Sequence, residues 1–309
     1  MPAQKLHVTV AIATRGRPEG CQRLVEAVLA QTLPTEWELR VIVVDNDPVR
    51  SELKLPRDQR VEVVHEPEQG IPFARNRGVD QALPWADVIV FVDDDELPVA
   101  ATWLLTLVQG LEVYRADIVS GPIRPVFSGD TPDWIQRQPV FQRRTREAGE
   151  YLSETYTGNT AVVADIFLEG RRFSPLFRNT GGSDTQLFRA AKRDGAIIRW
   201  VENAPVVEFV PLHRASIRWV LARSFRIGAN RVQFLRAEPR AAAQEWLILL
   251  GGSATELALA LSVPILALAS RRRALLILGR AFRGLGTMSA LVGFRYAPYR
   301  SERAERARS

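Results

Sequence analysis

Cysteine is almost missing from the 309-residue chain: Cys21 is the only one. That excludes a disulfide scaffold and a Cys-rich zinc site, and it suits a reducing compartment. Lysine is scarce as well, at Lys5, Lys54 and Lys192, so arginine carries nearly all the positive charge. The opening stretch MPAQKLHVTVAIATRGRP holds no apolar segment of the kind that opens a secretory leader. No G-x-G-x-x-G follows the first apolar run, which argues against a Rossmann dinucleotide site. From Arg214 onward there is no Lys and no Asp; 17 Arg stand against 5 Glu, net +12. The first 213 residues carry 24 basic and 30 acidic side chains, net −6. An acidic body is joined to a basic tail. Such a tail suits nucleic acid, an anionic membrane surface or plain solvation. No nucleic-acid-binding motif and no interleaved aromatics accompany it, so no nucleic-acid partner is expected.

What is present is a globular composition, 46% hydrophobic and 25% charged, on a chain long enough for one large α/β domain or two smaller ones. Residues 6–13, 39–44, 61–65, 87–92, 117–120, 160–163 and 205–210 read as strands. Helices are predicted over 20–31, 72–83, 99–114 and 184–194, with Pro72 in a first turn. The near-continuous apolar run 87–92 is what a strand buried on both faces needs. This alternation predicts an α/β fold with a doubly wound, mostly parallel sheet. Residues 122–157 read as irregular, with Pro122, Pro125, Pro132 and Pro139 and a basic run at Arg143, Arg144 and Arg146. A stretch this long inside a domain is functional or mobile. The chain past Arg214 reads as helical, giving a catalytic domain over 1–215 and a basic, apolar helical region over 216–309.

Ligands in doubly wound sheets bind beyond the carboxyl ends of the strands, so residues after the apolar runs matter most. Asp93-Asp94-Asp95-Glu96 follow the fourth run. Four adjacent acids repel one another and call for a counter-charge, and a hard divalent cation holding a diphosphate supplies one. In an extended segment, i and i+2 share a face, so Asp93 and Asp95 are expected to face one site and Asp94 the other side. The first run ends in Thr14-Arg15-Gly16-Arg17-Pro18 and the second in Asp45-Asn46-Asp47, whose side chains could bond a base or ribose. Taken singly, each is an ordinary turn or strand stop. Arg75, in the loop and helix 66–78, could pair with a phosphate, or be a plain surface arginine. Gly181-Gly182-Ser183-Asp184 reads as a helix start that lets a substrate approach closely, with Ser183 as the cap.

Six segments in order carry a resemblance: V-A-I-A-T-R-G-R-P (10–18), V-I-V-V-D-N-D (41–47), E-Q-G-I-P-F-A-R-N-R-G (68–78), F-V-D-D-D-E-L-P (91–98), T-G-N-T-A-V (157–162) and T-G-G-S-D-T-Q-L-F (180–188). Together they resemble the family 2 glycosyltransferases of the GT-A fold, over roughly residues 6–215. Within that family the chain is most similar to the bacterial group that includes succinoglycan-type exopolysaccharide glucosyltransferases. The resemblance implies a nucleotide-diphosphate sugar donor, usually UDP-linked, and Mg2+ or Mn2+. Thr14, Arg15 and Asp45 match positions that hold the nucleoside, and Arg75 one near it. Asp93 and Asp95 match the D-x-D pair that holds ribose and metal-diphosphate. Asp95 is thus the metal ligand, with Asp93 and Asp94 on the donor. Asp184 matches the catalytic base of inverting members.

Three departures accompany it. Ser183 replaces the family's Glu before that base, and the late histidine that many GT-A enzymes use on metal has only His213 to match it, without a secure alignment. The Q-x-x-R-W motif of processive synthases is missing, which favours single addition. The implied activity is inverting transfer of a sugar to a hydroxyl of a lipid-linked or cell-surface glycan. A polyprenyl-phosphate sugar synthase and a nucleotide-sugar-binding protein without catalysis are the alternatives.

Residues 246–269 form a 24-residue run with one charge, Glu256, followed by Arg271-Arg272-Arg273. It is long enough to span a bilayer, but Glu256 is costly there and the arginines fall on the wrong side of a single span. A return through 274–294 would carry Arg280 and Arg283. The reading is therefore peripheral or monotopic association with an anionic membrane at its cytoplasmic face, with buried helices and a true span as alternatives.

Overall fold

The computed structural model describes residues 5–142, 146–238 and 243–294. Arg143 and Arg144 of the expected basic run lie outside the described residues, as do 239–242 and 295–309 of the tail. The chain runs β1 (Leu6–Thr14), α1 (Pro18–Leu29), β2 (Trp37–Asp45), β3 (Val61–His65), α2 (Ile71–Ala82), β4 (Val88–Phe91), β5 (Glu96–Pro98), α3 (Trp103–Val113), β6 (Ile118–Ser120), β7 (Ile123–Phe127) and α4 (Asp133–Gln136). It continues through β8 (Thr160–Val163), α5 (Ser183–Arg193), β9 (Ile198–Trp200), β10 (Val206–Val210), α6 (Ile217–Ala237), α7 (Ala243–Ala258), α8 (Val263–Ala269) and α9 (Arg271–Leu291). Two compact units divide it. One takes the described residues up to Arg124 and then 146–208; the other takes 125–142, 209–238 and 243–294.

The first unit holds a seven-stranded sheet in the order β3-β2-β1-β4-β8-β6-β9. β1 to β4 are mutually parallel, β8 is antiparallel to β4 and β6, and β9 returns to parallel beside β6. The sheet is doubly wound and mostly parallel, as the alternation of runs predicts. Side-chain alternation gives it two buried faces. Val8, Val10 and Ile12 of β1 pack with Leu24, Val25 and Val28 of α1 and with Trp103 and Leu104 of α3. Ala11, Ile42, Ile89 and Phe91 face the other way, onto α2 and onto Leu187 and Phe188 of α5.

Winding reverses at β1, which lies between β2 and β4. A crevice opens at such a switch point, at the carboxyl ends of the strands. Register places Thr14 beside Asp45 and Ala11 beside Phe91, so the ends of β1, β2 and β4 come out together.

The second unit is mainly helical. Ser216 caps α6 by accepting from the Trp219 N–H at 3.3 Å, and Ser270 caps α9 in the same way from Arg273. α9 packs against α6, α7 and α8. Glu256 of α7 is 9% exposed and accepts from Arg283 of α9 at 2.8 Å (Nε), with Arg231 of α6 at 3.4 Å. Glu256 and Arg283, two of the three charges that count against an apolar hairpin when read from the sequence, are therefore each other's partners. Ala243–Ala269 and Arg271–Leu291 are both long and apolar enough to cross a membrane. Only 6% of the apolar window of the first is buried, against 44% for the second, so the first is not an ordinary buried helix.

Candidate active site

The acids after β4 do not alternate. Backbone N–H of Glu96 donates to the Asp93 carbonyl at 2.9 Å, closing a turn over 94–95 before β5 starts. The extended-strand rule fails there, and Asp94 does not face away from its neighbours. It points in, 7% exposed, and accepts from Thr14 Oγ1 at 2.8 Å and from Arg17 Nη1 at 2.7 Å. The same Arg17 nitrogen donates to Asp95 Oδ2 at 2.8 Å. Asp93 turns to the other side, where Arg75 Nη2 donates to its Oδ1 at 2.9 Å. Glu96, 2% exposed, accepts from the Asp93 N–H at 3.1 Å and so holds the turn from beneath.

Arg75 reaches two acids. Its Nη1 stands 3.8 Å from Asp184 Oδ2, while Asp184 Oδ1 accepts from the Thr185 N–H at 2.8 Å. Asn76, next on α2, donates from Nδ2 to the Phe173 carbonyl at 2.9 Å and accepts the Phe173 N–H at 2.8 Å. This pair of bonds ties the segment leading to α5 onto α2 and sets Asp184 opposite Arg75. Asp184 lies in the first turn of α5, where a carboxylate is favoured by the helix dipole. The N-cap is Gly182 at φ 99°, and no side chain caps the helix. Ser183 is the first helical residue and is 1% exposed, so the expected Ser183 cap is not formed.

Asp45 is fully buried and its oxygens accept from the N–H groups of Asp47 (3.0 Å) and Ser51 (2.6 Å), with Ser51 Oγ at 3.2 Å. It shapes the loop after β2. Asp47 Oδ2 then accepts the Gly16 N–H at 3.0 Å, joining that loop to the one after β1. Arg15 is exposed and pairs with no acid among the described residues. His213 lies in an exposed turn of the second unit.

Electrostatics follow burial. Desolvation pushes the Asp94 carboxyl up, against the pull of Arg17 and Thr14. Burial works against the Arg17 charge, but Asp94 and Asp95 outweigh it and hold the guanidinium above its ordinary range. Cys21, on α1 beneath this cluster, is pushed up to about 12, first by burial and then by the charge of Asp94.

Arg17, Glu96 and Asn76 stand in this cluster, and the sequence reading gives none of them a role of its own. Arg17 had a signal, a second arginine in the T-R-G-R loop at the switch point. Glu96 stood at the end of the acidic run, and Gly158 of T-G-N-T explains its place. A Cβ on Gly158 would come within 2.6 Å of Glu96 Oε1 and 2.8 Å of Ile123 Cδ1. Asn159, at φ 54°, donates to the Pro122 and Ala204 carbonyls and accepts from Trp103 Nε1 at 2.8 Å, which fixes this motif as the support under the acids.

Residues 9–169 match the family described as Glycosyl transferase family 2. Over 302 residues the chain is 31% identical to the succinoglycan biosynthesis protein ExoM of Rhizobium meliloti (strain 1021), covering 96% of each. The mannosyltransferase PcManGT from Pyrobaculum calidifontis, solved in complex with GDP-Man and Mn2+, is similar with a TM-score of 0.62 at 17% identity, over 94% of this chain and 88% of that one. GalNAc-T7, solved with UDP, GalNAc and Mn2+, gives a TM-score of 0.54 at 16% identity, over 74% of this chain and 51% of that one. This chain thus aligns to about half the length of GalNAc-T7. At such identities the two solved structures speak for the fold, and they agree with the switch-point sheet. With the family match covering more than half of the chain and a relative aligned along nearly all of it, this chain belongs to glycosyltransferase family 2 and has the GT-A fold.

Proposed function

We propose that the enzyme moves a sugar from a nucleotide-diphosphate donor, a UDP-sugar, to a hydroxyl of a lipid-linked or cell-surface glycan, with inversion and with the help of a divalent metal. The observation that carries this reading is Arg75, which joins Asp93 on the donor side to Asp184 on the acceptor side within one guanidinium. The two carboxylates then flank one reacting centre.

The donor set fits a hard cation. The Arg17 guanidinium already stands between Asp94 and Asp95 as a cationic stand-in. One or two carboxylates are enough for Mg2+ or Mn2+, which fill the rest of their shell from substrate phosphates and water. Asp95 would hold the ion, with Asp93 and Asp94 beside it on the donor. When bound, the ion neutralises charge that builds on the departing diphosphate.

The chain's own groups do the rest. Thr14 and Arg15 line the nucleoside side, with Asp45 closing the loop beneath. Arg75 holds its positive charge beside the diphosphate. Asp184 takes the proton from the acceptor hydroxyl as that oxygen bonds to the anomeric carbon. The carbon–oxygen bond to phosphate breaks, its electron pair leaves with the nucleoside diphosphate, and the configuration inverts. General-base action of this kind contributes roughly 10²–10⁴-fold. The relative's role in succinoglycan biosynthesis supports a glycan acceptor, and the Mn2+ and nucleotides of the two solved neighbours support the donor and metal classes. Those neighbours hold UDP and GDP-Man respectively, so the choice of UDP rests on the resemblance of motifs. The apolar faces of α7 and α8, with Arg271–Arg273 after them, would place the enzyme on the cytoplasmic face of an anionic membrane.

The test is binding of UDP- and GDP-sugars with Mn2+ or Mg2+, followed by transfer assays on Asp184→Asn. The variant should bind donor normally and lose transfer by about 10²-fold or more. Near wild-type turnover would reject Asp184 as the base. If that turnover went to a lipid phosphate, the polyprenyl-phosphate synthase reading would replace this one.

A further inference from the structure

Arg17 has no role in the reading above beyond marking where a cation fits. Its position is unusual in one respect: a single nitrogen, Nη1, is shared by two carboxylates, Asp94 Oδ1 at 2.7 Å and Asp95 Oδ2 at 2.8 Å. Asp94 is also held by Thr14, at 2.8 Å on its other oxygen, and its side chain is 8% exposed. Asp95 is less enclosed, with a side chain 19% exposed, and it is the proposed metal ligand. Arg17 itself is 39% exposed at the side chain and stands on the loop between β1 and α1, directly after Gly16 at φ 63°. A long side chain on that loop, in contact with solvent, has room to swing.

A guanidinium and a divalent cation on the same Asp95 carboxylate repel each other, so the ion binds less well while Arg17 stays there. A nucleotide diphosphate changes the balance, because it brings phosphate oxygens that a displaced guanidinium can bind in a fork. We propose that Arg17 is a built-in cation that occupies Asp95 in the donor-free enzyme and is exchanged for the divalent ion when the donor arrives. Metal and donor then load together, and the bare ion binds poorly. The inference rests on the reading of Asp95 as the metal ligand.

The experiment is a Mn2+ titration of the full chain, following the free-ion signal by electron paramagnetic resonance, with and without UDP. Wild-type protein should bind Mn2+ weakly alone and much more tightly with UDP. Arg17→Gln should bind Mn2+ alone about tenfold more tightly, since one repelling charge beside Asp95 is gone. UDP should then add less to its affinity than it adds in the wild type. Adding Asp95→Asn to Arg17→Gln should remove the gain. Arg17→Lys, a point charge without the planar guanidinium, should fall between the two. It decides the matter if Arg17→Gln does not fold: tighter Mn2+ binding than wild type supports the exchange, and equal or weaker binding overturns it. Equal or weaker Mn2+ binding by folded Arg17→Gln overturns the proposal alone. No Mn2+ binding by any of these proteins, even with UDP or GDP, overturns the metal-site reading and the exchange with it.

Discussion

Asp93, Asp94, Asp95 and Glu96 sit side by side at the end of β4 because each meets a positive charge or an N–H: Arg75 for the first, Arg17 for the next two, and the Asp93 amide for Glu96. The need for counter-charge was legible in the acidic run. Its source was not, because Arg17 is 77 and 78 residues away from its partners and only the β1–β4 pairing brings it there. The alternation expected of the acids also failed for a local reason, a turn closed by the Glu96 amide. Cys21 gives a test at this scale. Its folded value of about 12 lies above the usual 9, so the folded state keeps a proton that the unfolded state loses. The stability it contributes is complete below pH 9 and is lost as pH rises toward 12. Urea denaturation at pH 8 to 11 should show falling stability in the wild type and a flatter profile in Cys21→Ala; parallel profiles would contradict this. The thiol, with no exposed surface, should also resist a thiol reagent at pH 8 until the protein unfolds.

Among elements, most strands and helices were readable, the three-residue β6 among them as the run 117–120, and the three-residue strands β5 and β9 were not. So short a strand carries no measurable period, and only pairing with β10 and β6 defines those two. The same holds for β7 and α4, which lie inside a proline-rich stretch that reads as irregular. Two packing contacts carry predictions. A Cβ on Gly20 of α1 would lie 2.5 Å from the Asp94 carbonyl, so helix and acid loop touch through backbone. Gly20→Ala must push the loop away and should weaken donor binding about tenfold at a stability cost of about 1–3 kcal/mol; unchanged affinity by calorimetry would show that the loop gives freely. In the helical unit, Glu256→Ala leaves Arg231 and Arg283 facing each other without their acid. With all three side chains partly solvated, a loss of about 2 kcal/mol in denaturant unfolding is expected. A loss below a few tenths would mean that the cluster is not part of the helix packing.

For the molecule as a whole, the uneven charge and the uneven apolar surface coincide. Leu247, Ile248, Leu261, Ile265 and Leu268 are between 66% and 92% exposed along α7, the turn after it and α8, and the exposed Arg271–Arg273 follow. Apolar side chains beside arginines suit the interface of an anionic bilayer. Flotation with vesicles should carry the intact protein on anionic lipid and much less on neutral lipid, and Leu261→Ser with Leu268→Ser should reduce it several-fold. Equal flotation of that double variant would place the contact elsewhere. The sequence alone determined the doubly wound sheet and the family. Both rest on local patterns, runs of period two or 3.6 and short motifs in a set order, which survive without knowledge of contacts. It also placed Thr14, Asp45, the acids and Asp184 at strand and helix ends, and Arg75 within the loop and helix 66–78. Tertiary structure decided how those side chains pair. Asp94 turns inward with Asp95 onto Arg17, Arg75 spans Asp93 and Asp184, and Glu256 meets arginines from two other helices. Such pairs join residues up to 109 apart in the chain, and no local pattern records a distance that only the packing of sheet and helices sets.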